Sequence, residues 1–162
     1  MSFDYQTICA FLYREARHLD DRQWDEWLDC YHPSAEYWMP AWTDDDDLVT
    51  DPQSQISLIY YPDRKGLEDR VYRIQTERSS ATMPEPRTGH AVNNVEILEE
   101  RGNQIDLRFN WHTLSHRNQK TLQFFGTSFY TLDVSGDSPK ILKKKIVLKD
   151  DYIHQVIDVY HI

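Results

Sequence analysis

Seven histidines, two cysteines and an excess of carboxylates are the side chains of this sequence with chemistry to offer. His112 and His116 are four residues apart. On a helix that spacing sets two imidazoles on one side at metal distance, and a carboxylate would complete the facial triad of a mononuclear iron site. Their surroundings alternate apolar and polar residues as a strand does, and four residues of strand span about 13 Å. One ion cannot take both without a bulge. Cys9 and Cys30 have no C-x-x-C companion and no paired His, so an iron–sulfur cluster held by two Cys and two His has no ligand set here. Both read as buried free thiols on apolar stripes. The aspartates at 44–47 lack the alternating acids, the Gly and the closing Glu of a calcium loop, and read as a solvated loop.

Acid–base work in a pocket is the remaining enzymatic option. Asp21, His90, Tyr37, Tyr60 and Arg78 are the types that supply a general base, an acid and an oxyanion donor. Each also has a plain structural use. Asp21 fits a helix N-cap, His90 a satisfied core histidine, the tyrosines core or interface, and Arg70, Arg73 and Arg78 interface ion pairs. With five glycines the chain has no G-x-G-x-x-G and no Walker A loop, and it has no G-x-S-x-G elbow.

The elements that must position these residues follow from periodicity. Tyr5, Ile8, Leu12, Ala16 and Leu19 recur at helical spacing, with Phe11 and Glu15 beside them, and predict a helix over 4–19. Asp21 is the expected N-cap of a second helix whose apolar face is Trp24, Trp27, Leu28 and Tyr31, ended by Pro33-Ser34. Residues 35–42 read as a strand, 43–52 as a loop, 55–61 as a short apolar segment and 67–74 as a helix facing inward through Leu67, Val71 and Ile74. Residues 76–87 read as an extended loop. Arg101-Gly102-Asn103 marks a hairpin. Ile105, Leu107, Phe109 and Trp111 alternate with polar residues, and 121–134 and 141–148 are further strands. Gly126 marks a bulge or bend, and Lys143-Lys144-Lys145 a solvated edge. Helices first and long antiparallel strands last predict an α+β fold in one domain over 1–162, its helices packed on one face of a strongly curved sheet.

A net charge of −9 and no basic stripe make nucleic acid a poor partner. No apolar run approaches the roughly 18 residues of a membrane span, and Met1-Ser2-Phe3-Asp4 does not open a signal peptide, so the expected location is cytoplasmic. Five Trp and ten Tyr suit a large shaped core or a large interface.

Two resemblances sharpen this. Asp20 to Tyr31 (DDRQWDEWLDCY) followed by Ala35-Glu36-Tyr37-Trp38 looks like the opening of the cystatin-like cone folds, which include ketosteroid isomerase and scytalone dehydratase. Thr50-Asp51-Pro52, Ile56 to Tyr61, Gly66 to Val71, Arg73-Ile74, Thr76 to Ser79, Arg87 to Val95, and Lys144 to Leu148 through Asp151 to Ile153 resemble, in order and spacing, the small subunits of aromatic-ring-hydroxylating dioxygenases. The likeness is greatest to those acting on benzoate, toluate and anthranilate.

That second resemblance implies a structural subunit. The Rieske [2Fe–2S] cluster and the mononuclear iron would sit in a large (alpha) subunit, in a hexamer of three large and three small chains. A reductase would pass electrons from NADH, and the product would be a cis-dihydrodiol or catechol. It implies no cofactor and no catalytic residue in this chain. The expected docking residues, chosen by type and crowding, are Trp38, Trp42, Tyr60, Tyr61, Asp69, Arg70, Arg73 and Arg78. Two other roles stay open on the residues: a stand-alone isomerase or dehydratase using Asp21 and His90, and a module that binds a small aromatic ligand.

Overall fold

The computed structural model describes residues 3–77, 84–150 and 157–162. Helix α1 (Tyr5–Asp20) buries Ile8, Phe11, Leu12, Glu15, Ala16 and Leu19 on one face, and the Asp4 carboxylate caps it by accepting from the Thr7 amide at 2.7 Å. Asp21 does not cap the next helix. It closes α1, its amide donating to the Arg17 carbonyl. Arg22 then takes a left-handed turn at φ 55°, so the chain reverses one residue after Asp21. Gln23, without a side-chain cap bond, precedes α2 (Trp24–Asp29).

The second helix is shorter than its apolar stripe suggests. Tyr31 already belongs to strand β1 (Tyr31–Pro40), where it pairs with Ile141. Pro33 does not end a helix; the register shift between Tyr31 and Glu36 absorbs it, as suits a residue with no amide to donate. The stripe still packs together, Trp27 lying 6.2 Å from Trp24 and 5.0 Å from Tyr31. Strand β2 (Ser57–Tyr61) pairs antiparallel with β1. Helix α3 (Arg64–Glu77) buries Leu67 and Val71 and half-buries Ile74, as their spacing requires.

Three long strands follow, β3 (Arg87–Arg101), β4 (Gln104–Arg117) and β5 (Lys120–Asp133), then β6 (Lys140–Leu148). Gly102-Asn103 makes the first hairpin turn, with Gly102 at φ 58°. Asn118-Gln119 makes the second, both residues at positive φ as a type I′ turn demands. The order is β2-β1-β6-β5-β4-β3, antiparallel except for the β1–β6 pair. The helices pack on the concave face of this curved sheet, α1 against β3 and α3 against β1 and β2. Ile105, Leu107, Phe109 and Trp111 point into that core, while His112 and His116 are exposed on the other face. Asp44 to Asp47 are exposed in a loop, and Cys9 and Cys30 are buried free thiols.

One strand expectation is overturned and another is narrowed. The lysine run is not at an edge, because β6 lies between β1 and β5 and its Lys144 is 4% exposed. Lys144 shares the inward side of β6 with Ile146 and Leu148, so strand alternation carries it inside. Gly126 makes no bulge, since the ladders pair it with Trp111 and Leu148 without a shift there. A Cβ on Gly126 would lie 1.9 Å from the Val147 carbonyl oxygen, so the glycine permits a close backbone approach.

Candidate functional site

The residues with titratable chemistry converge inside the sheet and at its open end. Glu15 comes from the apolar face of α1, and Lys144 from β6; both are almost fully buried. Their Oε1–Nζ distance is 3.2 Å. The same Oε1 accepts from the Tyr130 hydroxyl at 2.7 Å and from the Tyr31 hydroxyl at 3.3 Å. The Lys144 ammonium also lies 5.2 Å from the Tyr37 ring centre and 5.3 Å from that of Tyr130. Burial pushes the Glu15 carboxyl upward, but Lys144 and the hydrogen bonds from Tyr130 and Lys144 outweigh it, so the net direction is below the ordinary carboxylate value. Burial, then the Glu15 charge, holds Tyr31, Tyr37 and Tyr130 well above an ordinary phenol. All three stay protonated; Tyr31 and Tyr130 donate to Glu15, while the buried Tyr37 hydroxyl has no hydrogen-bond partner among the described residues. The cluster is a closed structural pair rather than a proton relay open to solvent.

His90 stands where β3 passes the end of α1. Its carboxylate partner is Asp20, not Asp21, which is exposed. Asp20 Oδ1 is 2.5 Å from His90 Nδ1 and accepts from Thr88 Oγ1 at 3.0 Å, while Oδ2 accepts from the His90 amide at 3.0 Å. The other ring nitrogen, Nε2, lies 3.3 Å from the Ile162 carbonyl oxygen. Both nitrogens are therefore engaged within the chain. The cavity that His90 lines with Glu15, Trp111, Tyr130 and Lys144 measures about 20 Å³, which is room for one water and not for an organic substrate. Of the residues assembled above for acid–base work, Tyr37 is buried in the core, Tyr60 lies on strand β2 at the far side of the sheet, and Arg78 is outside the described residues.

The last residues close this end of the fold. Asp158 caps the 3-10 turn Val159–His161 and ion-pairs with Arg70 through both guanidinium and carboxylate arms. His161 is 3% exposed, and its Nδ1 accepts from the Asp158 amide at 2.9 Å. Burial pushes the His161 pKa down to about 4, with Asp158 pulling the other way and His90 adding to the depression. An unfolded histidine takes a proton near pH 6.5. The stability that neutral His161 contributes is thus complete above about pH 6.5 and is lost as pH falls toward 4, up to about 3 kcal/mol. Urea titrations at pH 7 and pH 4.5 should show His161→Gln losing less stability over that window than the parent. Equal losses would remove His161 from the account.

The expected docking residues that the structure describes are spread over β1, the segment after it, β2 and α3. Tyr60 pairs with Trp38 across the β1–β2 ladder, and Trp38 is buried, its Nε1 donating to Ser57 Oγ at 2.9 Å. Tyr61 is half-buried against Tyr37, with ring centres 6.2 Å apart. Trp42 is 40% exposed although its Nε1 donates to the Leu148 carbonyl at 2.6 Å. Asp69 and Arg73 are exposed on α3, Arg70 is tied to Asp158, and Arg78 is outside the described residues. Exposed Ile56 immediately precedes the edge strand β2 and exposed Leu58 lies within it. Among the described residues, no group of three or more His, Cys, Asp or Glu side chains is placed to hold a metal ion, and no helix is long and apolar enough to cross a membrane.

Comparison with known proteins decides the family. The family model described as ring hydroxylating beta subunit matches residues 14–155. The chain belongs to the ring hydroxylating beta subunit family. It is a small subunit of a ring-hydroxylating dioxygenase. It is 60% identical to the benzoate 1,2-dioxygenase subunit beta of Acinetobacter baylyi over 97% of this chain and 93% of that one. It is 58% identical to the toluate 1,2-dioxygenase subunit beta of Pseudomonas putida over the whole of both chains. A crystal structure of the beta subunit of the benzoate 1,2-dioxygenase from Burkholderia mallei superposes with a TM-score of 0.87 at 54% identity, covering 100% of this chain and 99% of that one. An NTF2-like protein with a cystatin-like fold from Novosphingobium aromaticivorans, at 11% identity and a TM-score of 0.64 over 92% of this chain and 84% of that one, shares the fold alone. The family's α+β, cystatin-like architecture is the one built here.

Proposed function

We propose that this beta subunit is the small, structural component of a benzoate-type oxygenase, one that adds O2 to an aromatic carboxylate and yields a cis-dihydrodiol or catechol. The observation that carries this is its 58–60% identity over essentially full length to subunits named for benzoate and toluate. The Rieske [2Fe–2S] cluster and mononuclear iron belong to a large subunit, three of each chain form the hexamer, and electrons come from NADH through a reductase, in the cytoplasm. Among the described residues the donor set fits neither metal group. Cys9 and Cys30 are both buried, Cys30 with its thiol pushed up to about 12 by burial and then by Glu15. A thiol so hard to ionise is a poor metal ligand.

The docking surface for the large subunit is the β1–β2 edge together with α3. Trp42, Tyr60 and Tyr61 supply aromatic anchors, and Asp69 and Arg73 supply charge at the rim. Trp38 and Arg70 act from beneath, the first through Ser57 and the second through Asp158. Co-expression with the large subunit, then sizing and iron analysis, tests both statements. The expected result is one large iron-containing complex that oxidises an aromatic acid, and a small chain that carries no iron when purified alone. Trp42→Ala and Arg73→Ala should each weaken assembly at least tenfold. Normal assembly of both variants would reject this surface, and turnover by the small chain alone would reject the structural role.

A further inference from the structure

Five aromatic rings that can each lose an electron stand in one row through the core. Tyr61 of the edge strand β2 lies 6.2 Å, centre to centre, from Tyr37 of β1. Tyr37 lies 6.2 Å from Tyr31, Tyr31 lies 5.0 Å from Trp27, and Trp27 lies 6.2 Å from Trp24. Each spacing falls within the roughly 4.5–7 Å of interacting rings. Electron tunnelling is fastest between such neighbours, and phenol and indole rings give up an electron far more readily than phenyl does. The row leads inward from the sheet edge. Tyr61 is half-buried, while Tyr37, Tyr31 and Trp27 are at most 1% exposed.

An oxidised phenol is a strong acid, so a buried tyrosine keeps a hole only where a base takes its proton. A second observation supplies that base. Glu15 Oε1 accepts from the Tyr130 hydroxyl at 2.7 Å and from the Tyr31 hydroxyl at 3.3 Å. Burial pushes Glu15 toward its protonated form, but Lys144 at 3.2 Å and the hydrogen bonds outweigh it and keep a carboxylate there, ready to accept. Tyr37 has no such base, because its buried hydroxyl has no hydrogen-bond partner among the described residues. Its ring is therefore a bridge between Tyr61 and Tyr31 and not a stop. Lys144 also donates to the Tyr31 hydroxyl at 3.4 Å, which opposes the loss of an electron there. Tyr130 makes the shorter bond to the shared Glu15 oxygen and is the end of the path.

We propose that the row from Tyr61 to Tyr31 carries oxidising equivalents from the edge of the sheet to Tyr130, where Glu15 takes the proton. The oxidant is a one-electron acceptor stronger than a phenoxyl radical, of the class of peroxyl radicals or ruthenium(III) complexes. It removes one electron from Tyr61 and is reduced by one, and the Tyr61 proton leaves to water. Tyr130 then returns an electron through Tyr31 and Tyr37. Tyr61 regains a proton from water, and the Tyr130 O–H bond breaks as its proton moves to Glu15 Oε1. The net change is one electron from Tyr130 to the oxidant and one proton from Tyr130 to Glu15. The path lies within this chain and needs no large subunit, so its failure would leave the structural role untouched. The test is flash photolysis of the full chain alone with tris(bipyridine)ruthenium(II) and a cobalt(III) ammine as the irreversible electron acceptor. Transient absorption follows the radicals, and freeze-trapped EPR on protein made with ring-deuterated tyrosine identifies them. The parent should form a tyrosyl radical that outlives those of exposed tyrosines at least tenfold. Tyr130→Phe should remove that long-lived signal. Tyr61→Phe should slow its appearance at least tenfold. Tyr72→Phe, at a residue 68% exposed and outside the row, should leave it unchanged. Each phenylalanine keeps the ring, and Tyr61→Phe at the sheet edge still decides the matter if Tyr130→Phe fails to fold. The proposal is overturned by any of three results: no long-lived tyrosyl signal, a long-lived signal that is tryptophanyl instead, or one unchanged in Tyr130→Phe or in Tyr61→Phe.

Discussion

Replacing Lys144 by alanine should destabilise the chain by about 3–5 kcal/mol, because it strands the Glu15 carboxylate in the core. Both groups are at most 4% exposed, and the carboxylate's hydrogen-bond partners inside the sheet are Lys144 and two tyrosine hydroxyls. Removing the ammonium removes the charge that outweighs burial at Glu15. The carboxyl should then be pushed up and take a proton. The sign of the pH dependence follows. In the parent the Glu15 value is depressed by folding, so the stability it contributes is present above the ordinary carboxylate value and lost as pH falls. In the variant it is raised, so the damage should be greatest at pH 7 and shrink toward pH 5. The double variant Glu15→Leu with Lys144→Met should recover most of the loss, since a buried ion pair exchanged whole for apolar groups of similar size is often neutral or stabilising. Urea denaturation of the three proteins at both pH values reads the comparison. A single variant within 1 kcal/mol of the parent at pH 7 would show that the pair is not desolvated as described.

Gly126→Ala should cost at least about 3 kcal/mol and shift expression to insoluble protein. Overpacking with a flexible side chain nearby costs roughly 1–3 kcal/mol. Here the new carbon meets the Val147 carbonyl oxygen at 1.9 Å and the Trp111 ring at 3.2 Å. Val147 is locked in the β5–β6 ladder opposite Thr127, and β6 is locked against β1 on its other side, so the backbone has nowhere to retreat. Gly89→Ala is the matched control. It lies in strand β3, and a Cβ there meets nothing within 4 Å. That variant should fold with a thermal midpoint within a few degrees of the parent. Equal behaviour of the two alanines would refute the close approach at Gly126.

What the sequence disclosed was decided by local pattern. The long alternation from Ile105 to Trp111 and the helical stripe from Ile8 to Leu19 carry their own periods, and both elements stand where those periods put them. What it hid was decided by distant partners. Tyr31 continues a helical stripe in sequence, yet it forms a strand because Ile141 is there to pair with it. Lys144 reads as one of three solvated lysines until β1 and β5 flank its strand and Glu15 faces it. A signal existed for that pair: Glu15 falls at i+7 from Ile8 and i+3 from Leu12, on the face that must be buried. At the candidate site, His90 is recognisable by type, but its carboxylate partner is Asp20, one residue before the Asp21 that the sequence suggests. The left-handed turn at Arg22, invisible to composition, turns Asp21 outward and leaves Asp20 beside His90. Arg70, chosen as a docking cation, is tied to Asp158 from the far end of the chain.

The single parallel pair in the sheet has a consequence for how the chain is made. Strand β1 is bordered on one side by β2, close behind it in sequence, and on the other by β6, with Glu36 opposite Lys143. A ribosome adding about 5–20 residues per second emits β1 roughly 5–20 s before β6 exists. Throughout that interval the aromatic stripe of Trp27, Tyr31 and Tyr37 has no finished sheet to cover it, and one edge of β1 is unpaired. The β3–β5 meander, built from neighbouring hairpins, can form as soon as it is synthesised. The first of the described strands to be synthesised is thus sealed on its second edge only by the last of them.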